Sequence, residues 1–561
     1  MPSELDRKFD ALLERVAGPE GPFQIGRDAE GRAIVTNLPP TLPGLFDAFC
    51  ALHGANEAVV ADGERLTFAE LNANAQRLAQ ALAGGWGIAK GDRVAIAMRN
   101  CPAWIVAYMA VLKAGGIAVL VNGWWQPQEL EHGLRLTEPK LVIADAPRAK
   151  RVDASGVWLP TVTLPVERPL AEALAPILEK GAGEVPLPTV APEDDATILF
   201  TSGSTGAAKG AVSTHRGVTS GVYPYALALA VLRAIKESAG ETVPQPRTLV
   251  NVPLFHVTGE VPVLLNSIVI GRTMVLMGKW DPGEALRLIE QERITYFVGV
   301  PTMSLELMQH PDRGKYDLSS LTDIAAGGAA RPVAHVKRLQ ESFRGAQPAL
   351  GYGLTETNAV GCANFWQNYA AKPASTGRPQ KPMVEVAILG GGDAHLGPDE
   401  PGEVAIRSAA NIRGYWRDPQ ATAAAFTADG YFRTGDIGYL DDDGYLFIID
   451  RLKDIIIRGG ENISCQEVEA ACYAHISVSE ACVFGLPDER LGEVPGAVIY
   501  SEEDGTLTRE ALTGFLQERL AAFKLPERIW IHDEPLPKLG TGKIDKVALR
   551  ERYRAQVAEN A

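Results

Sequence analysis

The stretch TSGSTGAAKGAV, Thr201–Val212, crowds glycines, hydroxyls and a single lysine into one short segment. A loop that holds phosphate needs those residue types. Glycines let backbone amides close on an anion, hydroxyls add donors, and a lysine adds a mobile positive charge. The common P-loop ends in adjacent Gly-Lys followed by Ser or Thr. Here Gly206 and Lys209 are separated by two alanines, and Gly210 follows the lysine. The stretch follows the strand-like ATILFT (Ala196–Thr201) and is expected to precede a helix capped by Thr214. An ordinary Gly/Ser turn between strand and helix has the same composition, so the stretch alone leaves both readings open.

With 561 residues the chain is too long for one hydrophobic core, and two or more domains are expected. A composition of 46% apolar and 22% charged residues is that of a globular protein. A net charge of −15 without a long basic run argues against nucleic acid or an anionic membrane surface as partner. Cys50, Cys101, Cys362, Cys465, Cys472 and Cys482 form no CxxC pair and no Cys/His cluster, which speaks against a disulfide framework or a zinc site. A reducing, cytoplasmic setting is expected. The N-terminus carries Leu5, Phe9, Leu12, Leu13 and Val16 at helical spacing, without the apolar run of a signal peptide. No stretch offers about 18 apolar residues free of charge, so no transmembrane helix is expected.

Short β-rich runs alternate with helical patterns: DRVAIAM (Asp92–Met98), KLVIAD (Lys140–Asp145), ATILFT, TLVNVP (Thr248–Pro253) and YFVGVP (Tyr296–Pro301), with helices such as FAELNANAQRLAQALAG between them. This predicts α/β architecture with largely parallel sheets. From about Val384 the strands VEVAIL, GEVAIR and GYLFII and the turn DDDG (Asp441–Gly444) predict a small β subdomain. After Asp450 short strands mix with helices, as in a small α+β domain.

Four further stretches lie downstream: GYGLTET (Gly351–Thr357), YFRTGDIGYLDDDGYL (Tyr431–Leu446), DRLKDIIIRGGENIS (Asp450–Ser464) and PKLGTGKIDK (Pro537–Lys546). With the opening loop they stand in the order and approximate spacing of the adenylate-forming superfamily, which includes acyl-CoA synthetases, adenylation domains of peptide synthetases and beetle luciferases. The resemblance runs from LTFAELN (Leu66–Asn72) to GTGKID, and it is nearest the acyl-CoA synthetase (fatty-acid–CoA ligase) branch. It implies a large N-terminal domain, residues 1–449, of stacked and mostly parallel sheets with helices, its β subdomain spanning about 376–449. A small mobile α+β domain, 450–561, follows a hinge near Lys453.

In such proteins a carboxylate attacks the α-phosphate of ATP, pyrophosphate leaves, and a thiol then displaces AMP from the acyl-adenylate. The resemblance implies that Thr201, Ser202, Gly203, Ser204, Thr205, Gly206 and Lys209 embrace the β- and γ-phosphates. Glu356, with Thr205, would hold Mg²⁺, since one carboxylate plus substrate phosphates suits that ion. Thr355 would bind the α-phosphate, Tyr352 would stack on adenine, and Gly328 and Ala329 in GGAAR (Gly327–Arg331) would line the base. Asp436 would accept from the ribose hydroxyls, with Arg451 beside it. Lys543 would bridge carboxylate and phosphoryl oxygens. The Gly459–Gly460 turn would let the pantetheine of CoA pass when the C-terminal domain swings about Lys453. The corresponding bland readings are a packed tyrosine, a turn aspartate, a surface lysine and a simple turn.

PLFHVTG (Pro253–Gly259) puts His256 where acyl-CoA synthetases carry a gate to the acyl pocket, and no aspartate stands there to hold a substrate ammonium. Mostly small, apolar residues over Gly299–Met303 and Asn358–Ala363 suit an uncharged acyl or aryl chain; a medium- or long-chain fatty acid is the preferred expectation. CoA is the simplest acceptor, because no carrier domain follows GTGKID. An aryl-acid–CoA ligase, an acyl carrier protein ligase, a luciferase-like oxygenase and a catalytically silent nucleotide- or lipid-binding protein are the alternatives. Homodimerisation stays open. Ala208 replaces the proline that often precedes the loop lysine in the superfamily, a change in loop stiffness and not the loss of a ligand.

Overall fold

The computed structural model describes residues 2–61, 63–181, 185–201, 208–243, 245–329, 331–502, 507–539 and 542–559. Two sheets form the body of the larger part. A seven-stranded sheet is ordered Gly414–Tyr415, Lys209–Thr214, Asp195–Thr201, Ile117–Leu120, Arg93–Ala97, Leu141–Asp145, Thr161–Leu164. A nine-stranded sheet contains the parallel run Gln347–Gly353, Asp323–Ala326, Tyr296–Gly299, Arg247–Val250, Thr273–Leu276. The alternation of apolar runs with helices gives these parallel strands, because each crossover helix must cover a sheet face. The helix Pro102–Lys113 is buried at every residue and shares one core with the helices Phe68–Gly84 and His215–Ser238.

The β-rich region beyond Val384 is a four-stranded antiparallel sheet, Glu385–Leu389, Gly402–Arg407, Phe432–Leu440 and Leu446–Arg451. Its last turn is the DDDG segment, with Gly444 at φ +76°. Lys372 Nζ pairs with Asp441 and Asp443 there, at 2.6 and 3.0 Å. The C-terminal part forms a separate sheet around the hairpin Glu480–Asp488 and Gly492–Tyr500, flanked by the helices Cys465–Tyr473 and Arg509–Gln517. All six cysteines are buried and free.

One local reading changes. Thr214 does cap a helix, its hydroxyl accepting from Gly217 N at 3.0 Å. However, the strand Lys209–Thr214 precedes that helix and runs antiparallel to Asp195–Thr201, with Lys209 opposite Thr201. The glycine-rich stretch therefore joins two antiparallel strands and not a strand to a helix. Ser202, Gly203, Ser204, Thr205 and Gly206 lie outside the described residues. Among the described residues, His215–Ser238 is long and apolar enough to cross a membrane by composition, but 61% of its apolar window is buried in the fold.

The amphipathic N-terminus forms the helix Glu4–Val16, closed by a capping box between Ser3 and Asp6. Asp6 is the anchor of this helix. Its carboxylate, 5% exposed, accepts from Tyr445 Oη at 3.0 Å, Asn368 Nδ2 at 3.0 Å and Arg378 Nη1 at 3.1 Å. Asp10 adds a second pairing to Arg378 at 3.1 Å. Removing the carboxylate strands the Tyr445 hydroxyl and the Asn368 amide and leaves Arg378 with Asp10 alone. Asp6→Ala is therefore expected to lower stability by about 1–3 kcal/mol, read as earlier unfolding in urea and faster cleavage near residue 16 by a protease; an unchanged urea profile would show that the helix is not held this way.

Candidate active site

One cavity of about 2580 Å³ lies between the two sheets and the C-terminal part. Thr201, Lys209, His256, Gly328, Ala329, Tyr352, Thr355, Glu356, Asp436, Arg451, Lys453 and Lys543 all line it. These residues are scattered over more than three hundred positions, and the fold brings them to one wall system. Gly459 and Gly460 do not line the cavity. They are the two central residues of a tight hairpin between Ile456–Arg458 and Glu461–Ile463, at φ +59° and +92°. Both dihedrals favour glycine, as a primed two-residue turn requires.

The strand Gln347–Gly353 carries Tyr352, and the one-turn helix Thr355–Thr357 continues directly from it. Tyr352 Oη donates to Asp436 Oδ2 at 2.7 Å, and Arg451 Nε lies 3.0 Å from Asp436 Oδ1. Asp436 and Arg451 face each other because their strands pair in that register. Burial raises the Asp436 carboxyl above the usual range, with Arg451 pulling the other way, and burial pushes the Tyr352 phenol well up. The aspartate thus has one oxygen on a tyrosine and one on an arginine, at the cavity edge.

Glu356 accepts from Tyr415 Oη at 3.0 Å and also interacts with the Thr201 side chain. Burial raises its carboxyl, and no cation pairs with it among the described residues. Lys209 Nζ sits 5.0 Å from the centre of the Tyr415 ring. Tyr415 therefore links the lysine of the glycine-rich stretch to Glu356, a role the sequence reading missed. The only signal was a tyrosine in the GYW run, Gly414–Trp416, and nothing in that run by itself distinguishes it from a packed edge strand.

The C-terminal part reaches into the cavity through the turn that holds Lys543. Leu539 N donates to Lys543 O at 2.7 Å, Gly542 N donates to Leu539 O at 2.8 Å, and Thr302 Oγ1 reaches Gly542 O at 3.3 Å. A Cβ on Gly328, whose φ is +76°, would come within 3.4 Å of Lys543 Nζ. Lys538 fastens the same turn, bridging Glu480 of the C-terminal sheet at 2.8 Å and Glu306 of the larger part at 3.0 Å. Burial, with Arg451 nearby, holds Lys543 down to about 8. His256 is held down to about 3, first by burial and then by the Lys543 charge, so its imidazole is neutral. Among the described residues no cluster of three or more His, Cys, Asp or Glu side chains could hold a metal.

Beyond Lys543 the cavity turns apolar. Val298, Ala325, Ala349 and Phe365 stand side by side on four neighbouring strands, with Tyr225, Ala228, Leu229 and Leu232 of the long helix above them.

Known proteins resemble this chain in sequence and in fold. The family described as AMP-binding enzyme matches residues 46–416, and the AMP-binding enzyme C-terminal domain matches residues 467–543. A long-chain-fatty-acid–CoA ligase of Bacillus subtilis is 34% identical over 552 residues, covering 93% of this chain and 95% of the relative. A feruloyl-CoA synthase of Amycolatopsis is 35% identical over 496 residues, covering 88% and 96%. A fatty acyl CoA synthetase of Mycobacterium tuberculosis superposes with TM-score 0.70 at 31% identity, over 92% of this chain and 99% of that one. The o-succinylbenzoate CoA synthetase of Bacillus subtilis, in complex with ATP and magnesium ion, superposes with TM-score 0.75 at 27% identity, over 91% and 98%. The chain belongs to the AMP-binding enzyme family and is an AMP-forming acid–CoA ligase.

Proposed function

We propose that this ligase activates an uncharged medium- or long-chain fatty acid as its acyl-AMP and passes the acyl group to CoA. The observation that carries the reading is the position of Lys543, which meets Gly328 where the polar end of the cavity joins its apolar end. A carboxylate lying in the apolar channel would reach the lysine with its head group.

In the first step a carboxylate oxygen attacks the α-phosphorus of ATP, the bond to the bridging oxygen of the β-phosphate breaks, and pyrophosphate leaves. Lys543 neutralises charge on the carboxylate and phosphoryl oxygens, an effect magnified where water is excluded. Thr355 donates to the α-phosphate. Thr201, Lys209 and the hydroxyls of the segment that follows Thr201 hold the departing phosphates. Asp436 takes the ribose hydroxyls and Arg451 flanks them, while Tyr352, Gly328 and Ala329 frame the base. Neutral His256 gates the acyl channel.

Glu356 fits a divalent cation, because its buried carboxylate accepts from the Tyr415 and Thr201 hydroxyls and has no ion-pair partner among the described residues, the Arg451 charge acting on it only from farther off. Glu356 and Thr205, the latter outside the described residues, would hold Mg²⁺, which screens the phosphate charge when bound. In the second step the thiol sulfur of CoA attacks the acyl carbon, the bond to the AMP oxygen breaks, and the thiol proton leaves to solvent. We assign the chain from residue 450 to a domain that turns about Lys453, in the turn after Arg451. Rotation would withdraw Lys543, release the Lys538 bridge to Glu306, and bring the Gly459–Gly460 hairpin to the site.

Pyrophosphate release with ATP over a panel of fatty, aryl and amino acids, with and without CoA, tests the substrate class. Medium- and long-chain fatty acids are expected to give the highest kcat/KM and a CoA thioester. A higher kcat/KM for aryl acids, or no thioester with CoA, would overturn this reading. Lys543→Ala is expected to slow adenylation by about 10²–10³ while sparing thioester formation from supplied acyl-AMP. The lysine acts as its charged form, so kcat/KM for ATP in the wild type should fall as pH rises through about 8 and the proton is lost. Equal losses in both half-reactions, or a flat profile to pH 9, would contradict that role.

A further inference from the structure

The apolar end of the cavity has a measurable length and a wall whose outer side is covered by an unexpected element. Its floor is the cross-strand row Val298, Ala325, Ala349 and Phe365, with Gly351 opposite Ala363 two residues nearer the phosphate end. Alanine and glycine at these positions leave space above the sheet. The long helix His215–Ser238 forms the roof, presenting Tyr225, Ala228, Leu229 and Leu232 on one face. Two contacts fix how it lies: the Tyr225 hydroxyl bonds the carbonyl of Ala359, and Lys236 Nζ reaches Asp323 Oδ2 at 3.3 Å. The helix therefore runs along the strands, away from the phosphate end.

Two independent rulers give the depth. Four strand residues separate Gly327 from Asp323, about 13 Å at the strand rise. Eleven helical residues separate Tyr225 from Lys236, about 16 Å at the helical rise. At the far end Asp323 is held by Trp366 Nε1 at 2.8 Å as well as by Lys236. That polar closure and Phe365 stop the channel at a depth suited to a medium-length chain.

Beside the channel, along its strand Gly361–Phe365, lies a second, small crevice, lined by Leu5, Phe9 and Leu13 of the N-terminal helix. Ala228, Leu232, Ala363 and Phe365 line both the crevice and the channel. The wall between them is one side chain thick. Phe9 backs it directly, its ring stacked on Phe365 with centroids 6.2 Å apart and planes 18° from parallel. The buried Asp6 anchor keeps the helix from sliding.

We propose that the N-terminal helix, through Phe9 against Phe365, is the outer wall of the acyl channel and sets the longest acid the enzyme accepts. The proposal rests on the fatty-acid reading above. Phe9 is a positioning residue: it touches Phe365 and not the substrate. Truncating it lets Phe365 swing into the crevice and joins the two spaces. Adding bulk at Ala228 does the opposite and shortens the channel.

The test is kcat/KM for pyrophosphate release over straight-chain acids from six to eighteen carbons, for wild type, Phe9→Ala, Phe9→Leu and Ala228→Leu. Each methylene accommodated or rejected in an apolar pocket changes specificity by about tenfold or more. Phe9→Ala is expected to raise the ratio of longer to shorter acids about tenfold, Phe9→Leu to raise it less, and Ala228→Leu to lower it, with KM for ATP unchanged. A merely structural role for the helix would depress all chain lengths alike. Folded variants with an unshifted length profile would overturn the proposal, and if Phe9→Ala fails to fold, the Phe9→Leu and Ala228→Leu profiles decide. Pyrophosphate release from no straight-chain acid in the wild type would instead overturn the fatty-acid reading.

Discussion

A lysine ammonium held away from water beside an arginine, with no carboxylate paired to it among the described residues, is an unfavourable arrangement in the free protein. It becomes favourable once anionic oxygens enter the cavity. Lys543 is that group, and the surrounding architecture supports its placement. The turn that carries it is pinned by Thr302, its neighbour Lys538 is bridged between Glu306 and Glu480, and Gly328 leaves room where any side chain would press on it. The neutral state of His256 follows first from burial and then from the same charge. A site built this way suits anionic oxygens, and it depends on two separate sheets meeting.

Much of this was legible in the sequence, because the chemistry restricts residue types. A glycine-rich stretch with a lysine, a lone glutamate after Leu-Thr, an aspartate in Thr-Gly-Asp and a lysine between glycine turns each have few substitutes, and the structure gathers their described members around one cavity. The alternation of apolar runs and helices likewise yields the parallel sheets. The strand Lys209–Thr214 was hidden because Lys-Gly-Ala-Val-Ser-Thr reads as more loop; its pairing with Asp195–Thr201 comes from tertiary context. Tyr415 was hidden for a related reason, since it acts from a two-residue strand at the edge of a sheet.

Two features lie beyond any local reading. That Lys543 and not the Gly459–Gly460 hairpin lines the cavity is a matter of tertiary arrangement, and no residue pattern states it. The docking of the N-terminal helix is equally remote: Asp6 meets partners near residues 368, 378 and 445, which no local spacing could have suggested. Its amphipathic pattern predicted the helix but not the wall it covers. The apolar channel is likewise spread across the chain, with Val298, Ala325, Ala349 and Phe365 on four strands and one face of the long helix.

The central claim is that the acid is activated through an oxygen bridge to the α-phosphate of ATP. It is tested most directly by running the complete reaction with a fatty acid carrying ¹⁸O in both carboxylate oxygens and analysing the products by mass spectrometry. The account predicts one labelled oxygen in AMP, one in the acyl thioester, and none in pyrophosphate. Label in pyrophosphate or inorganic phosphate, or unlabelled AMP, would contradict it.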